Sequence, residues 1–129
     1  MRRRRCRTPV TRIHSRAEGL HHVRRVLTMD GGRAAIVVGS GEIMRRMVTS
    51  IMDSAAEAGL KLQWLNDRAT ARLAQTQAEV RFYLHHHAQA PRGQQFHLTW
   101  LHAVPTEGEI VAVLRWNTRL GESPLVIYD

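Results

Sequence analysis

The clearest pattern in the chain is the spacing of apolar residues from Ile43 to Ala58, which fall in pairs separated by four positions. This spacing places them along one face of an α-helix and predicts an amphipathic helix. The preceding turn, Gly39-Ser40-Gly41, offers a capping hydroxyl, and Gly59 suits the residue that ends a helix. Before the turn, the unbroken apolar run Ala34–Val38 predicts a buried strand.

A second, weaker apolar stripe runs from Leu62 to Ala88 in alternating steps of three and four residues. Such steps are typical of a heptad-like helix. About 27 residues at about 1.5 Å per residue would extend for roughly 40 Å. That length exceeds the roughly 30 Å expected for the diameter of a domain this small. The pattern therefore predicts a long second helix that contacts other subunits.

The last third of the chain alternates apolar and polar residues, which is typical of strands. Phe96–Val104 and Glu109–Trp116 are predicted to form an antiparallel hairpin in which Trp100 opposes Leu114. In that register Gly108 occupies the left-handed position of a three-residue bulged turn, where glycine is favoured. The tryptophan side chains of the hairpin then lie on the face that forms the core.

These elements together predict the α+β class. The expected sheet is small and antiparallel, built from the C-terminal hairpin and the strand near 34–38. Leu125–Tyr128 is expected to add an edge strand to it. One amphipathic helix is expected to pack against this sheet, and the long helix is the second one.

Charge divides the chain in two. The first 25 residues carry nine arginines and one acid, whereas residues 26–129 carry ten basic and ten acidic side chains. We therefore expect an Arg-rich flexible arm over residues 1–19, followed by a single α+β domain over residues 20–129. Guanidinium groups bind phosphate backbones without reading base sequence. The arginines expected to contact nucleic acid are Arg2, Arg3, Arg4, Arg5, Arg7, Arg12 and Arg16.

Three other interpretations of the arm remain open at this point. Residues 1–17 contain Arg, Ser and Thr but no acid, which is the composition of a mitochondrial transit peptide. Met29 is an alternative start of the protein, which would make the preceding residues a translated upstream stretch. The arm is otherwise a plain solvated tail.

Candidate chemistry is sparse. The turn at Gly39–Gly41 follows a strand and precedes a helix, as a phosphate-binding loop does, but Met44 stands where a dinucleotide-binding loop needs its third glycine. On a helix, His85–His87 would point about 100° apart and would not converge on one metal ion. His102 falls on the predicted core face. The sequence therefore predicts no catalytic residue, no metal and no cofactor.

No motif identifies a reaction, so the functional hypotheses depend on how the chain is organised, with a basic arm before a neutral domain. The leading hypothesis is a non-enzymatic structural component of a virion or ribonucleoprotein particle, whose partners are nucleic-acid backbone and other subunits. A stand-alone nucleic-acid-binding regulator and a small enzyme using His85, His97 or His102 are the alternatives. No apolar run is long enough to span a membrane, so a cytoplasmic or particle-bound location is expected.

Overall fold

The computed structural model describes residues 10–65, 69–84, 96–102 and 125–128 of the 129-residue chain. Within these ranges the chain forms seven strands and two helices. In chain order they are β1 (Val10–Arg12), α1 (Arg16–Leu27), β2 (Arg33–Val38), α2 (Gly41–Glu57), β3 (Leu62–Trp64), β4 (Thr70–Leu73), β5 (Ala78–Leu84), β6 (Leu98–His102) and β7 (Leu125–Tyr128).

The strands pair into one mixed sheet in the order β1-β7-β6-β2-β5-β4-β3. β1, β7, β6, β2 and β5 run parallel to one another. β4 runs antiparallel to both β5 and β3. Central β2 has parallel partners on both sides, and its residues Ala34–Val38 are completely buried. A continuous apolar run is what a strand buried on both faces requires.

Both helices pack on the same face of this sheet and contact each other. α1 connects β1 to β2 and α2 connects β2 to β3, so both crossovers move in the same direction along the sheet. Since such crossovers are almost always right-handed, two that move the same way are expected on one face. The core between helices and sheet includes Met47, Ile36, Val80 and Trp100.

Trp100 of β6 lies directly beneath α1. Its side chain is fully buried, and a Cβ added to Gly19 of α1 would overlap the indole ring. We expect the Gly19→Ala variant to lose about 1–3 kcal/mol of unfolding free energy, because overpacking forces the helix away from the sheet. Urea unfolding measures this loss.

Gly41→Ala is the matched control for that substitution. Gly41 is also a helical glycine, but a Cβ added there meets nothing within 4 Å. Alanine is the better helix former, so this control is expected to be neutral or slightly stabilising. Equal stability of the two variants would contradict the packing of α1 on Trp100.

Several sequence predictions are confirmed. The chain is of the α+β class, the run near 34–38 is strand β2, and the amphipathic helix forms as α2. Ser40 caps that helix: its Oγ accepts a hydrogen bond from the backbone N–H of Ile43 at 3.2 Å. The predicted small antiparallel sheet is wrong, because the sheet is mixed and mainly parallel.

The predicted long helix over Leu62–Ala88 is also wrong. Its described part forms β3, β4 and β5 instead. The buried residues of β4 and β5 that face the helices alternate with polar ones: Ala71, Leu73, Ala78, Val80 and Phe82. The same apolar residues fit a helical and a two-residue period, and only pairing with β2 selects the strand. Gln77, at φ 59°, lies in the turn between β4 and β5.

The C-terminal strands pair differently from the prediction. Phe96–Val104 contains β6, but β6 has parallel neighbours, β2 and β7, on its two edges. No edge of β6 is therefore left for an antiparallel hairpin partner; Glu109–Trp116 lies outside the described residues. β7 forms as expected, but it lies between β1 and β6 and is not an edge strand. Alternation shows which residues share a face, not which strand is the neighbour.

Part of the expected arm belongs to the folded domain. Residues 10–19 form β1, a short turn and the first residues of α1. Ile13 is 7% exposed and joins the core cluster. Arg12 lies in β1, and the Arg16 guanidinium donates a hydrogen bond to Ser50 Oγ of α2 at 3.4 Å. Arg2, Arg3, Arg4, Arg5 and Arg7 lie outside the described residues.

Candidate functional site at the carboxyl edge of the sheet

Six of the seven described strands, all but β4, end at the same edge of the sheet, and both helices begin there. In open α/β sheets, ligands bind outside the carboxyl ends of the strands, at the point where neighbouring strands connect in opposite directions. Here β2 continues toward β3, while β6 continues toward β7 on the other side. The crevice expected from this topology therefore lies between the carboxyl ends of β2 and β6.

The turn from β2 into α2 lies at this edge of the sheet, beside the expected crevice. The backbone N–H of Gly39 donates to the carbonyl oxygen of His102 at 3.2 Å, which ties the turn to the end of β6. Ser40 is extended, with φ −155° and ψ 162°, and caps α2 as described above. The free N–H groups of the first helical turn point out of the sheet edge, where they attract anions.

The cap of α2 makes a measurable contribution to stability. Ser40→Ala removes the acceptor for the Ile43 N–H, and we expect a loss of about 1 kcal/mol. Thr49→Ala on the same helix is the control, because its hydroxyl donates only to the Arg45 carbonyl oxygen. Thermal unfolding of both variants tests the difference, and equal melting temperatures would contradict the capping role.

The turn from β1 into α1 lies along the same edge. Only three residues, Ile13, His14 and Ser15, separate the strand from the helix. Ser15 is the N-cap, and its Oγ accepts from the backbone N–H of Glu18 at 3.4 Å. His14 is exposed. A second helix N-terminus therefore faces the same edge of the sheet.

His102 is the titratable side chain at the end of β6. It is half-buried, and its ring packs edge-on against Trp100 with centroids 5.9 Å apart. His97 lies at the other end of β6, about 16 Å away at about 3.3 Å per residue. These two imidazoles therefore do not form a joint site, and His85–His87 lies outside the described residues.

The chemistry of this edge departs from that of a P-loop. A P-loop places GxxxxGK[ST] between a strand and a helix, and neither turn has that sequence. Lys61, the only lysine, precedes β3 and so lies at the opposite edge. Over the described residues, no group of three or more His, Cys, Asp or Glu side chains is placed to hold a metal ion.

The mainly parallel sheet with crossover helices resembles open sheets in which ligands bind outside the carboxyl ends of the strands. Comparison with solved structures shows a similar fold in phage large terminases. The chain matches the large terminase of a thermophilic bacteriophage, solved with ADP, with a TM-score of 0.64 and 12% identity. The match covers 95% of this chain and 33% of the terminase.

A second match is to the ATPase domain of the Thermus phage P74-26 large terminase. It has a TM-score of 0.58 and 13% identity, over 97% of this chain and 61% of that domain. The chain therefore spans about a third of the longer terminase chains. No family model and no curated protein matches the sequence.

The hypothesis of a non-enzymatic structural component is wrong on these findings, because the shared fold is that of an ATPase domain. Neither described helix is long and apolar enough to cross a membrane. Sequence reasoning identified the Gly39–Gly41 turn as a helix cap but missed that the end of β6 lies beside it. That arrangement depends on β6 pairing with β2, and no local pattern encodes that neighbour.

Proposed function

We propose that this chain is a nucleotide-binding module of the large-terminase ATPase type, with phage DNA and other proteins of a complex as partners, in a phage particle or the cytoplasm of its host. The observation that carries the proposal is the match of nearly the whole chain to a terminase solved with ADP. The strand order also supports it, since the chain continues from β2 and from β6 in opposite directions, which is where open sheets with crossover helices bind ligands.

The groups available to bind a nucleotide at this edge would each contribute only weakly. The two helix N-termini carry partial positive charge toward the edge. Ser15, Ser40 and His102 supply side-chain polar atoms, whereas Glu18 and Glu42 in the first helical turns oppose a phosphate. Because the P-loop lysine is missing, we expect weak binding and slow hydrolysis by this chain alone. Faster turnover would need groups supplied by other parts of a packaging assembly.

Calorimetric titration with MgADP and MgATP tests the proposal. We expect saturable binding with a Kd of about 100 μM, which corresponds to about 5.5 kcal/mol. His102→Ala should weaken it about tenfold, since it removes a donor at the crevice. His21→Ala, an exposed histidine of α1, is the matched control. An absence of binding at millimolar nucleotide would overturn the proposal.

We also propose that the N-terminal arginines contact DNA, as the excess charge of this segment indicates. The variant in which Arg2, Arg3, Arg4, Arg5 and Arg7 are changed to glutamine keeps the chain length and leaves β1 intact. We expect it to lose most of the salt dependence of DNA binding, because fewer counterions are released. Arg12 and Arg16, which lie in β1 and α1, are expected to contribute less. An unchanged salt slope would contradict this role.

A further inference from the structure

A cavity of about 450 Å³ opens where the last turns of α1 pass the start of β6. Small-molecule sites commonly have volumes of about 300–1,000 Å³. The cavity lies at the amino end of β6, and so at the edge of the sheet opposite the expected crevice. The described residues that line it come from α1 with its cap and from the start of β6: His22, Arg25, Val26, Thr28, Met29, His97 and Leu98.

Hydrogen bonds fix the helix end that forms one side of the cavity. The last four carbonyl groups of α1, those of residues 24–27, all accept from backbone N–H groups of the cap or from the hydroxyls of Thr28 and Thr76. The Thr76 hydroxyl, 2.7 Å from the Leu27 carbonyl oxygen, ties this helix end to the turn between β4 and β5. The helix end therefore does not require the guanidinium of Arg25 as a cap.

Three side chains at the cavity can donate hydrogen bonds to a ligand. Arg25 is exposed and carries five N–H groups. His97 Nδ1 accepts the backbone N–H of Arg33 at 3.1 Å, so the neutral imidazole carries its proton on Nε2. His22, half-buried, lies one turn before Arg25 on the same helix. Donors of this kind suit a ligand with several acceptor oxygens.

The surroundings of His22 favour a negative charge placed beside it. Burial lowers the pKa of the His22 imidazole, and the charges of His21 and Arg25 lower it further, whereas Glu18, one turn earlier, raises it. An anion held against this imidazole would stabilise the protonated ring and would raise the pKa of His22.

Apolar side chains line the cavity beside these donors. Val26 and Leu98 are buried, whereas Met29 is 41% exposed despite its large apolar side chain. Methionine adapts its shape to the group that it contacts. Covering Met29 with an apolar group would remove its surface from water, which is favourable. The lining therefore suits a ligand that is apolar at one end and anionic at the other.

We propose that this cavity binds a small oxyanion, a carboxylate or a phosphate, carried on an apolar body. The oxyanion accepts hydrogen bonds from Arg25, His22 and His97, and the apolar body covers Met29. The site is at the opposite edge of the sheet from the expected crevice, so the proposal does not rest on the nucleotide-binding function.

Calorimetric titration of the full chain at pH 7 is the direct test. The probes are benzoate, phenyl phosphate, inorganic phosphate and benzyl alcohol. We expect saturable binding of an aromatic anion, and the tighter of the two identifies the preferred oxyanion. Inorganic phosphate lacks the apolar body and benzyl alcohol lacks the charge, so each should bind at least about tenfold more weakly. If neither aromatic anion binds with a Kd below about 10 mM, the proposal is wrong.

Substitution of Arg25 locates the site. Arg25→Gln should weaken binding of the tighter aromatic anion about tenfold, because it removes a charge and its paired hydrogen bonds. Arg45→Gln is the matched control, since Arg45 is an exposed arginine of α2 and its loss changes the net charge equally. Affinity should be unchanged by Arg45→Gln and by His102→Ala. Equal affinity in wild type and Arg25→Gln, or a loss in His102→Ala, would place the anion elsewhere and overturn the assignment.

The titration of His22 gives a second measurement that does not depend on affinity. We expect the pKa of His22, followed by proton NMR of its imidazole, to rise when the aromatic anion is added. The variant His22→Gln identifies the resonance. A pKa of His22 that does not move at saturating anion would contradict contact between the oxyanion and this imidazole.

Discussion

Trp100→Ala is expected to cost about 3–5 kcal/mol of unfolding free energy, which is the usual range for removing a fully buried tryptophan. The side chain has no exposure to solvent, and it joins β6 to α1 at the centre of the sheet. Neither neighbour closes the cavity easily, since the backbone of β6 is fixed on both sides by β2 and β7. Urea unfolding followed by far-ultraviolet circular dichroism measures the loss.

Trp64→Ala is the control for that experiment. Trp64 lies on edge strand β3, is 37% exposed and packs against Phe82 with ring centroids 5.8 Å apart. Removing it creates no enclosed cavity, so we expect a loss of only about 1–2 kcal/mol. A larger effect at Trp64 than at Trp100 would contradict the placement of the core.

Glu79→Gln is the second substitution with a large expected effect. Guanidinium nitrogens of Arg33, Arg72 and Arg81 lie 3.2, 3.5 and 3.4 Å from the Glu79 carboxylate, whose side chain is 9% exposed. The substitution leaves these groups around a neutral amide, and breaking a buried ion pair by removing one partner costs about 3–5 kcal/mol. Partial exposure of the arginines reduces this cost, so we expect about 2–3 kcal/mol. Glu42→Gln, which breaks the exposed pair with Arg46, should cost less than about 0.5 kcal/mol.

The double variant tests the cause. If repulsion among the arginines destabilises Glu79→Gln, the further change Arg72→Gln should restore part of the lost stability, because it removes one uncompensated charge. Strictly additive losses in the double variant would show that repulsion is not the source. Thermal unfolding of the single and double variants in low salt gives the comparison, since salt screens the repulsion.

Local patterns predicted the local elements well. The apolar stripe of α2 and the run in β2 each fix an element without reference to any neighbour. The described part of Leu62–Ala88 forms strands instead of the predicted helix, because its apolar stripe fits both a helical and a two-residue period. Pairing with β2 selects the strand, since β2 and β5 form six register pairs, from Arg33–Glu79 to Val38–Leu84.

The candidate sites likewise combine local features that the sequence predicts with features that depend on which strands are neighbours. The cap at Ser40 is readable from sequence, because it depends on residues three positions apart. The expected crevice and the ion pairs of Glu79 depend on strand order. Arg33, Arg72 and Glu79 are separated by up to 46 positions, and only the pairing β2-β5-β4 brings them together. In the sequence these arginines look like scattered surface charges among acids.

The pairing of β1 with β7 joins residues 10–12 to residues 126–128. During synthesis on the ribosome, the flank of β6 that β7 later occupies has no strand beside it until residues 125–128 have been made. Unpaired strand edges invite association with other chains. The newly made protein therefore passes through a vulnerable interval, and slowing translation between the codons for residues 102 and 125 should increase its tendency to aggregate.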